Sequence, residues 1–338
     1  MKKTILYILI PIVFILIGWF ANTAYHLPKD SNPIAQIKPT PLLKYTIENL
    51  SNTDFKASRI EIGEILSESD KFTSYKYSMK FNLGFSENVK SVSGMINIPK
   101  GNGPFPVIVM FRGFVDQKIY TTGIGTKPSA KVFAENGFIT VAPDFLGYAD
   151  SDKEASDIFE SRFQTYITAA VTLKSVSDPA FTQTTAGKWD GKNIFIWGHS
   201  NGGQIALTTL EIMGTNYPTV LWAPVGRPFP ASILYYIDEA DDGGKLIIGK
   251  LSEFNETYDT EKYSLTNYLD KIKAPIQINQ GTRDMAVPYW WSDQLVAKLK
   301  KDAIDITYKK YPGADHNLVP SWNTAVENSL LFFNSHKE

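Results

Sequence analysis

The residues best suited to chemistry lie in Gly198-His199-Ser200-Asn201-Gly202-Gly203, which contains the pattern G-x-S-x-G. A serine hydroxyl is a weak nucleophile. It becomes useful when a turn lifts it clear of its surroundings and a base stands within hydrogen-bond reach. Asn193-Ile194-Phe195-Ile196-Trp197 reads as a strand, Gly202 onward reads as a helix, and the turn between them holds Ser200 at its tip. That is the arrangement of a nucleophile elbow. Glycines at 198 and 202 leave room where the strand and the helix cross.

The base is a histidine, of which the chain has four. His26 is close to an apolar N-terminal stretch, His199 sits inside the elbow pointing away from its neighbour, and His336 follows the last predicted helix. His316, in Gly313-Ala314-Asp315-His316-Asn317, lies in a loop between a predicted strand and a predicted helix, from which it can swing to Ser200. A histidine base needs an acid to hold its tautomer. Asp284 ends the run Ile276-Gln277-Ile278-Asn279-Gln280-Gly281-Thr282-Arg283-Asp284 and completes the order Ser, Asp, His. Asp315 adjoins the histidine, and adjacent side chains diverge; Asp302 and Asp305 fall in a polar helix-to-strand turn. Two backbone amides are expected to hold the oxyanion of an acyl-transfer intermediate. One is that of Asn201. The other follows the strand Phe105 to Phe111 in Arg112-Gly113-Phe114, from Phe114 or from Val115.

These groups need a scaffold. Ser58 to Ile65, Tyr75 to Leu83 and Lys90 to Ile98 carry the alternation of antiparallel strands. Beyond Pro104, short apolar runs at 105–111, 138–143, 193–197, 219–222, 275–279 and 306–311 alternate with helical patterns at 127–136, 155–176, 202–213, 288–300 and 319–333. That rhythm predicts an α/β fold with a mostly parallel central sheet flanked by helices. The interval 224–269 is too long for an ordinary connection and is expected to form an inserted cap. It holds the acidic cluster Asp238, Glu239, Asp241 and Asp242, a candidate for a peptide ammonium or simply a solvated loop. Tyr235, Tyr236, Trp290 and Trp291 are candidates either for an acyl or proline pocket or for packing. Gly123-Ile124-Gly125 is a loop, not a phosphate cradle, since no lysine-bearing P-loop follows it.

Lysine and arginine number 34 against 35 acidic residues, a net charge of -1, which gives no reason to expect nucleic acid as a partner. With no cysteine and four histidines, neither a thiolate nucleophile nor a metal site is expected. Lys2 and Lys3 precede an uncharged apolar stretch from Thr4 to Ala21. As a helix this stretch spans roughly 27 Å, close to a bilayer core of about 30 Å. The sequence therefore predicts an N-terminal membrane helix over 1–25 and a proline-containing stalk over 26–44, followed by a catalytic domain over 45–338. The positive N-terminal flank puts that end in the cytoplasm and the domain outside, with secretion after signal cleavage as the alternative. No obligate protein partner is inferred.

From about Ser91 to Phe333 the chain resembles the catalytic domain of prolyl oligopeptidase-type serine peptidases, within the α/β-hydrolase superfamily. The resemblance rests on Pro106-Val107-Ile108-Val109 before Arg112-Gly113, Ala142-Pro143-Asp144 with Gly147-Tyr148, the elbow, Gly281-Thr282-Arg283-Asp284 with Val287-Pro288, and His316. It implies an α/β-hydrolase fold, an acyl-serine intermediate, no cofactor, and a peptide or ester bond as target. The leading expectation is cleavage of short peptides. A carboxylesterase or acetyl esterase acting on small acyl esters is the alternative, and a non-catalytic binding protein that kept the fold is the second. Two departures stand out. Many relatives have His-Gly where this chain has Arg112-Gly113. The roughly 60 residues between stalk and sheet are also too few for the β-propeller that family peptidases carry.

Overall fold

A computed structural model of the chain describes residues 39–83, 89–240 and 242–338. The expected membrane helix, and the stalk up to residue 38, lie outside these residues. Among the described residues no helix is long and apolar enough to cross a membrane. The prolines of the expected stalk give way to the domain sooner than composition suggests, since the catalytic unit begins at Pro41. Leu42 and Tyr45 are buried. The Leu42 amide donates to the Tyr258 hydroxyl at 3.2 Å, and the Tyr263 hydroxyl donates to the Leu42 carbonyl at 3.0 Å. Residues 41–44 therefore belong to the domain rather than to a stalk.

Among the described residues nine strands form one sheet: β1 Ile60–Glu68, β2 Phe72–Asn82, β3 Val89–Pro99, β4 Phe105–Phe111, β5 Ile139–Pro143, β6 Trp189–His199, β7 Thr219–Trp222, β8 Ile276–Gly281 and β9 Ile306–Tyr311. Their spatial order is β1-β2-β3-β5-β4-β6-β7-β8-β9. The first three strands pair antiparallel and β3 pairs antiparallel with β5, whereas every pair from β5 through β9 is parallel. The helices are α1 Ile47–Ser51, α2 Lys127–Glu135, α3 Ile158–Ser177, α4 Phe181–Thr184, α5 Asn201–Met213, α6 Ala231–Leu234, α7 Lys245–Asn255, α8 Tyr289–Lys301 and α9 Trp322–Ser335. The mostly parallel sheet flanked by helices is the one that the strand and helix rhythm predicts, and its topology is the α/β-hydrolase fold that the resemblance implies.

Side chains alternate across a strand, so each central strand feeds two cores. Val107, Val109 and Phe111 of β4, with Ile194 and Ile196 of β6, face the layer of α3, α5 and α8. Ile108 and Met110, with Phe195 and Trp197, face α2 and α9. Burial on both faces explains why these strands read as continuous apolar runs. The interval expected to be a cap holds α6 and α7. Its buried Phe229, Phe254 and Tyr263 pack on Phe159 and Phe163 of α3 at ring separations of 5.0 to 6.5 Å. Parallel strands bring all their following loops to one edge of the sheet, and the chemistry of an open α/β sheet gathers at that edge.

Candidate active site

Ser200 stands between β6 and α5 with φ 57° and ψ -120°, a backbone position that a non-glycine residue rarely occupies. Hydrogen bonds hold it there: its amide donates to the Trp222 carbonyl at 2.9 Å, and its carbonyl accepts from the Gly203 and Val225 amides, both at 3.0 Å. Space is the other requirement. A Cβ on Gly202 would come within 2.0 Å of the Phe111 carbonyl oxygen, so α5 approaches β4 this closely only with glycine there.

Asp284, 5 % exposed, follows β8. Its Oδ1 accepts from the Ala286 and Val287 amides at 2.9 and 2.8 Å, and its Oδ2 accepts from Gln280 Nε2 at 3.0 Å. His316 Nδ1 lies 2.9 Å from the same Oδ2. A carboxylate receiving four bonds has no proton to give, so His316 Nδ1 carries the proton and its Nε2 keeps a free lone pair. The expected acid and base are thus brought together. Asp315 is not the acid: its Oδ1 closes the histidine's own turn by accepting from the Asn317 and Val319 amides, each at 2.9 Å. His336 is at the far end of α9, with Nδ1 2.8 Å from the Phe332 carbonyl.

Gly113 lies against the nucleophile, since a Cβ built there would be 3.0 Å from Ser200 Cβ. Arg112, unusual in sequence, is 5 % exposed and has a role visible only in three dimensions. Its Nη1 donates to the Gly113 carbonyl at 3.0 Å and its Nη2 to the Asp144 carbonyl at 3.0 Å. The guanidinium lies over the Tyr148 ring at 3.9 Å and the Tyr120 ring at 4.6 Å. In a trans peptide the C=O and the next N–H point opposite ways. Fixing the Gly113 carbonyl on Arg112 therefore directs the Phe114 N–H away from the guanidinium. The Asn201 amide stands in the first turn of α5, at the helix's positive end.

Asp144, fully buried, ties the loop after β4 to the sheet. It accepts from the Tyr120 hydroxyl at 2.6 Å, Ser93 Oγ at 2.7 Å, Thr122 Oγ1 at 3.0 Å and the Gly123 amide at 3.1 Å. Gly123 thus serves the loop. Gln280 and Asp144 have no role legible in the sequence: each is a polar residue at the end of a strand, and nothing local names its partners.

Of the aromatic candidates, Trp291 is buried, and the half-buried Tyr236 donates its hydroxyl to the Ala286 carbonyl beside Asp284 at 3.1 Å. Tyr235 and Trp290 are exposed, with rings 4.7 and 5.8 Å from that of Trp291. In the acidic cluster, Asp242 is occupied by the Gly244 and Leu246 amides at the start of α7, and Asp241 lies outside the described residues. Among the described residues no group of acidic residues and histidines is placed to hold a metal ion.

The sequence profile of the prolyl oligopeptidase family matches residues 126–336, which include Ser200, Asp284 and His316. The acetyl esterase Axe7A of Xylanibacter ruminicola is 23 % identical over 257 residues, covering 69 % of this chain and 55 % of that protein. Dipeptidyl peptidase family member 6 of Caenorhabditis elegans is 28 % identical over 97 residues, 29 % of this chain and 13 % of that protein. The chain therefore spans little more than half of one curated relative and a small part of the other. The solved structure of acetyl xylan esterase 1 from a Thermoanaerobacterium species superposes with a TM-score of 0.58 at 14 % identity, covering 88 % of this chain and 95 % of that one. At that identity the likeness shows the fold.

Proposed function

The chain belongs to the prolyl oligopeptidase family of serine hydrolases, and from that premise we propose that it is a carboxylesterase that removes small acyl groups, acetyl foremost, from ester substrates. One observation carries this reading. Residues 41–125, ahead of the family match, are not a domain standing over the site; they supply β1 to β4 of the catalytic sheet itself. The propeller that the resemblance implies for peptidases has no counterpart among the described residues. An acetyl esterase among the curated relatives supports the same reading. Cleavage of short peptides is the second reading, favoured by the family and by the match to a dipeptidyl peptidase family member.

In the proposed reaction His316 Nε2 takes the Ser200 proton as Oγ attacks the acyl carbonyl, and the Asn201 and Phe114 amides receive the oxyanion. The imidazolium, steadied by Asp284, returns the proton to the alcohol oxygen as the C–O bond breaks. The alcohol leaves, and the acyl group stays on Ser200. Water then gives a proton to His316 and attacks the acyl carbon. The carboxylic acid departs as Ser200 regains its proton.

The test compares the wild type with Ser200→Ala on a p-nitrophenyl acyl ester series and a proline-anilide peptide series. We expect acetate and propionate esters to be hydrolysed, the anilides not, and the variant to lose about 10⁶-fold in kcat. Anilide cleavage with little ester turnover overturns the esterase reading, and a variant within about tenfold of wild type overturns the nucleophile. The same proposal keeps residues 1–25 as a membrane anchor with the catalytic domain outside the cytoplasm, on the strength of Lys2, Lys3 and the apolar run after them. Release of the full-length chain from membranes by alkaline carbonate would refute the anchor.

A further inference from the structure

His199 takes no part in the proton transfers above. Its side chain nevertheless crosses from the end of β6 to the loop after β9. Its Nε2 lies 3.0 Å from the backbone oxygen of His316, and the two imidazole rings lie 4.8 Å apart, 37° from parallel. A carbonyl oxygen only accepts, so the proton of His199 sits on Nε2. Burial, and next the charge that His316 acquires, hold the His199 pKa down at about 4; the bond to the His316 carbonyl and the charges of Asp284 and Asp315 oppose them. His199 is accordingly neutral wherever a histidine base works. On its other side the Trp197 ring lies 6.1 Å away.

His316 is held at two points by two strand ends. Its side chain is tied through Nδ1 to Asp284 beyond β8, and its main chain is tied through the carbonyl to His199 at the end of β6. The first bond sets the tautomer and the ring plane. The start of the loop is tied to the chain after β8, the Arg283 amide donating to the Ala314 carbonyl and the Gly313 amide to Thr282 Oγ1, both at 2.9 Å. The second bond ties His316 itself to the turn that carries Ser200, because His199 and Ser200 are consecutive residues.

We propose that His199 is a positioning residue for the reaction: its Nε2–H pins the backbone of the catalytic-base loop to the nucleophile's own strand, and its ring backs the His316 imidazole. This rests on the reading of His316 as the general base. A lost hydrogen bond and a small displacement of the base lower the rate of chemistry without touching the substrate's own contacts.

The test uses the full-length chain, p-nitrophenyl acetate, and three variants. His199→Phe keeps a flat ring and loses the donor, His199→Gln keeps an uncharged N–H donor, and His316→Ala is the control for the underlying reading. We expect His199→Phe to lose about tenfold in kcat with KM unchanged, and His199→Gln to stay within about threefold of wild type. The acid limb of the kcat profile against pH should move in His199→Phe and not in His199→Gln, with melting temperatures of both close to wild type. A His199→Phe kcat within about twofold of wild type overturns the proposal. So does a His199→Gln loss as large as that of His199→Phe, or a loss in either variant that merely follows a lowered melting temperature. Activity surviving in His316→Ala would refute the general base instead, which separates the two failures.

Discussion

Two buried carboxylates, one in the loop after β8 and one on α5, have opposite fates. Asp284 is 5 % exposed and receives four hydrogen bonds, two from backbone amides and one each from Gln280 and His316. Glu211, 2 % exposed on the helix that starts just after Ser200, has no hydrogen-bond partner for either oxygen. Asp284 sits in a loop whose amides have no ladder to satisfy and are free to turn inward. Glu211 sits in the last turn of α5, where the backbone donors around it are already paired within the helix. Loop backbone can solvate a buried charge; helix backbone beyond the first turn cannot. Burial accordingly pushes the Glu211 carboxyl well above the usual carboxylate range, Lys271 opposing this and Asp270 adding to it.

The comparison can be broken first at Asp284. Asp284→Asn keeps the shape of the side chain and loses the carboxylate that fixes the His316 tautomer, so kcat on an active ester should fall by about 10⁴-fold. A fall of less than tenfold would show that the four-bond carboxylate does not govern the base. Removing one donor is gentler. Gln280→Leu takes away the Nε2 bond to Asp284 Oδ2 and strands Ser292 Oγ, which now donates to Gln280 Oε1 at 2.7 Å. Steady-state kinetics should show kcat lowered about tenfold with KM little changed; a wild-type kcat would mean that the two amides and His316 suffice.

Glu211 should give the smallest effect, on stability and not on activity. A carboxyl whose folded pKa is raised keeps its proton in the native state after the unfolded chain has released it. Its stabilising contribution is complete below the unfolded pKa and declines as pH rises from there toward the folded value. Glu211→Gln cannot ionise and should therefore melt with a flatter pH dependence, gaining about 2–4 °C over wild type near pH 8 and little near pH 4. Parallel melting curves across that range would show that the buried acid is not the titrating group.

Much of the architecture was legible because its signals are local. Apolar runs alternating with 3.6-residue patterns mark β4 to β9 and their helices to within a few residues, since a parallel sheet buried on both faces imposes that rhythm. The N-terminal antiparallel strands were legible from period-two alternation. The domain's start was not. Pro39 and Pro41 make residues 26–44 look like one stalk, and only the tertiary structure reveals Leu42 bonded to Tyr258 and Tyr263, and Tyr45 buried against Phe163.

The sequence by itself singled out the turn at Ser200 as the candidate nucleophile, the order Ser200, Asp284, His316, and the absence of any cysteine for that role. These follow from residue types whose chemistry is restrictive and from neighbours within five or six positions. The tertiary structure decided what holds those groups in place. Arg112 turns the Gly113 peptide, Gln280 completes the shell of Asp284, and His199 reaches the main chain of His316 across 117 positions. Arg112 and Gln280 grip residues close in sequence, but only the loop conformation sets their aim. The contact of His199 exists because parallel strands bring the loops after β6 and β9 to one edge, and no local pattern in the chain encodes that meeting.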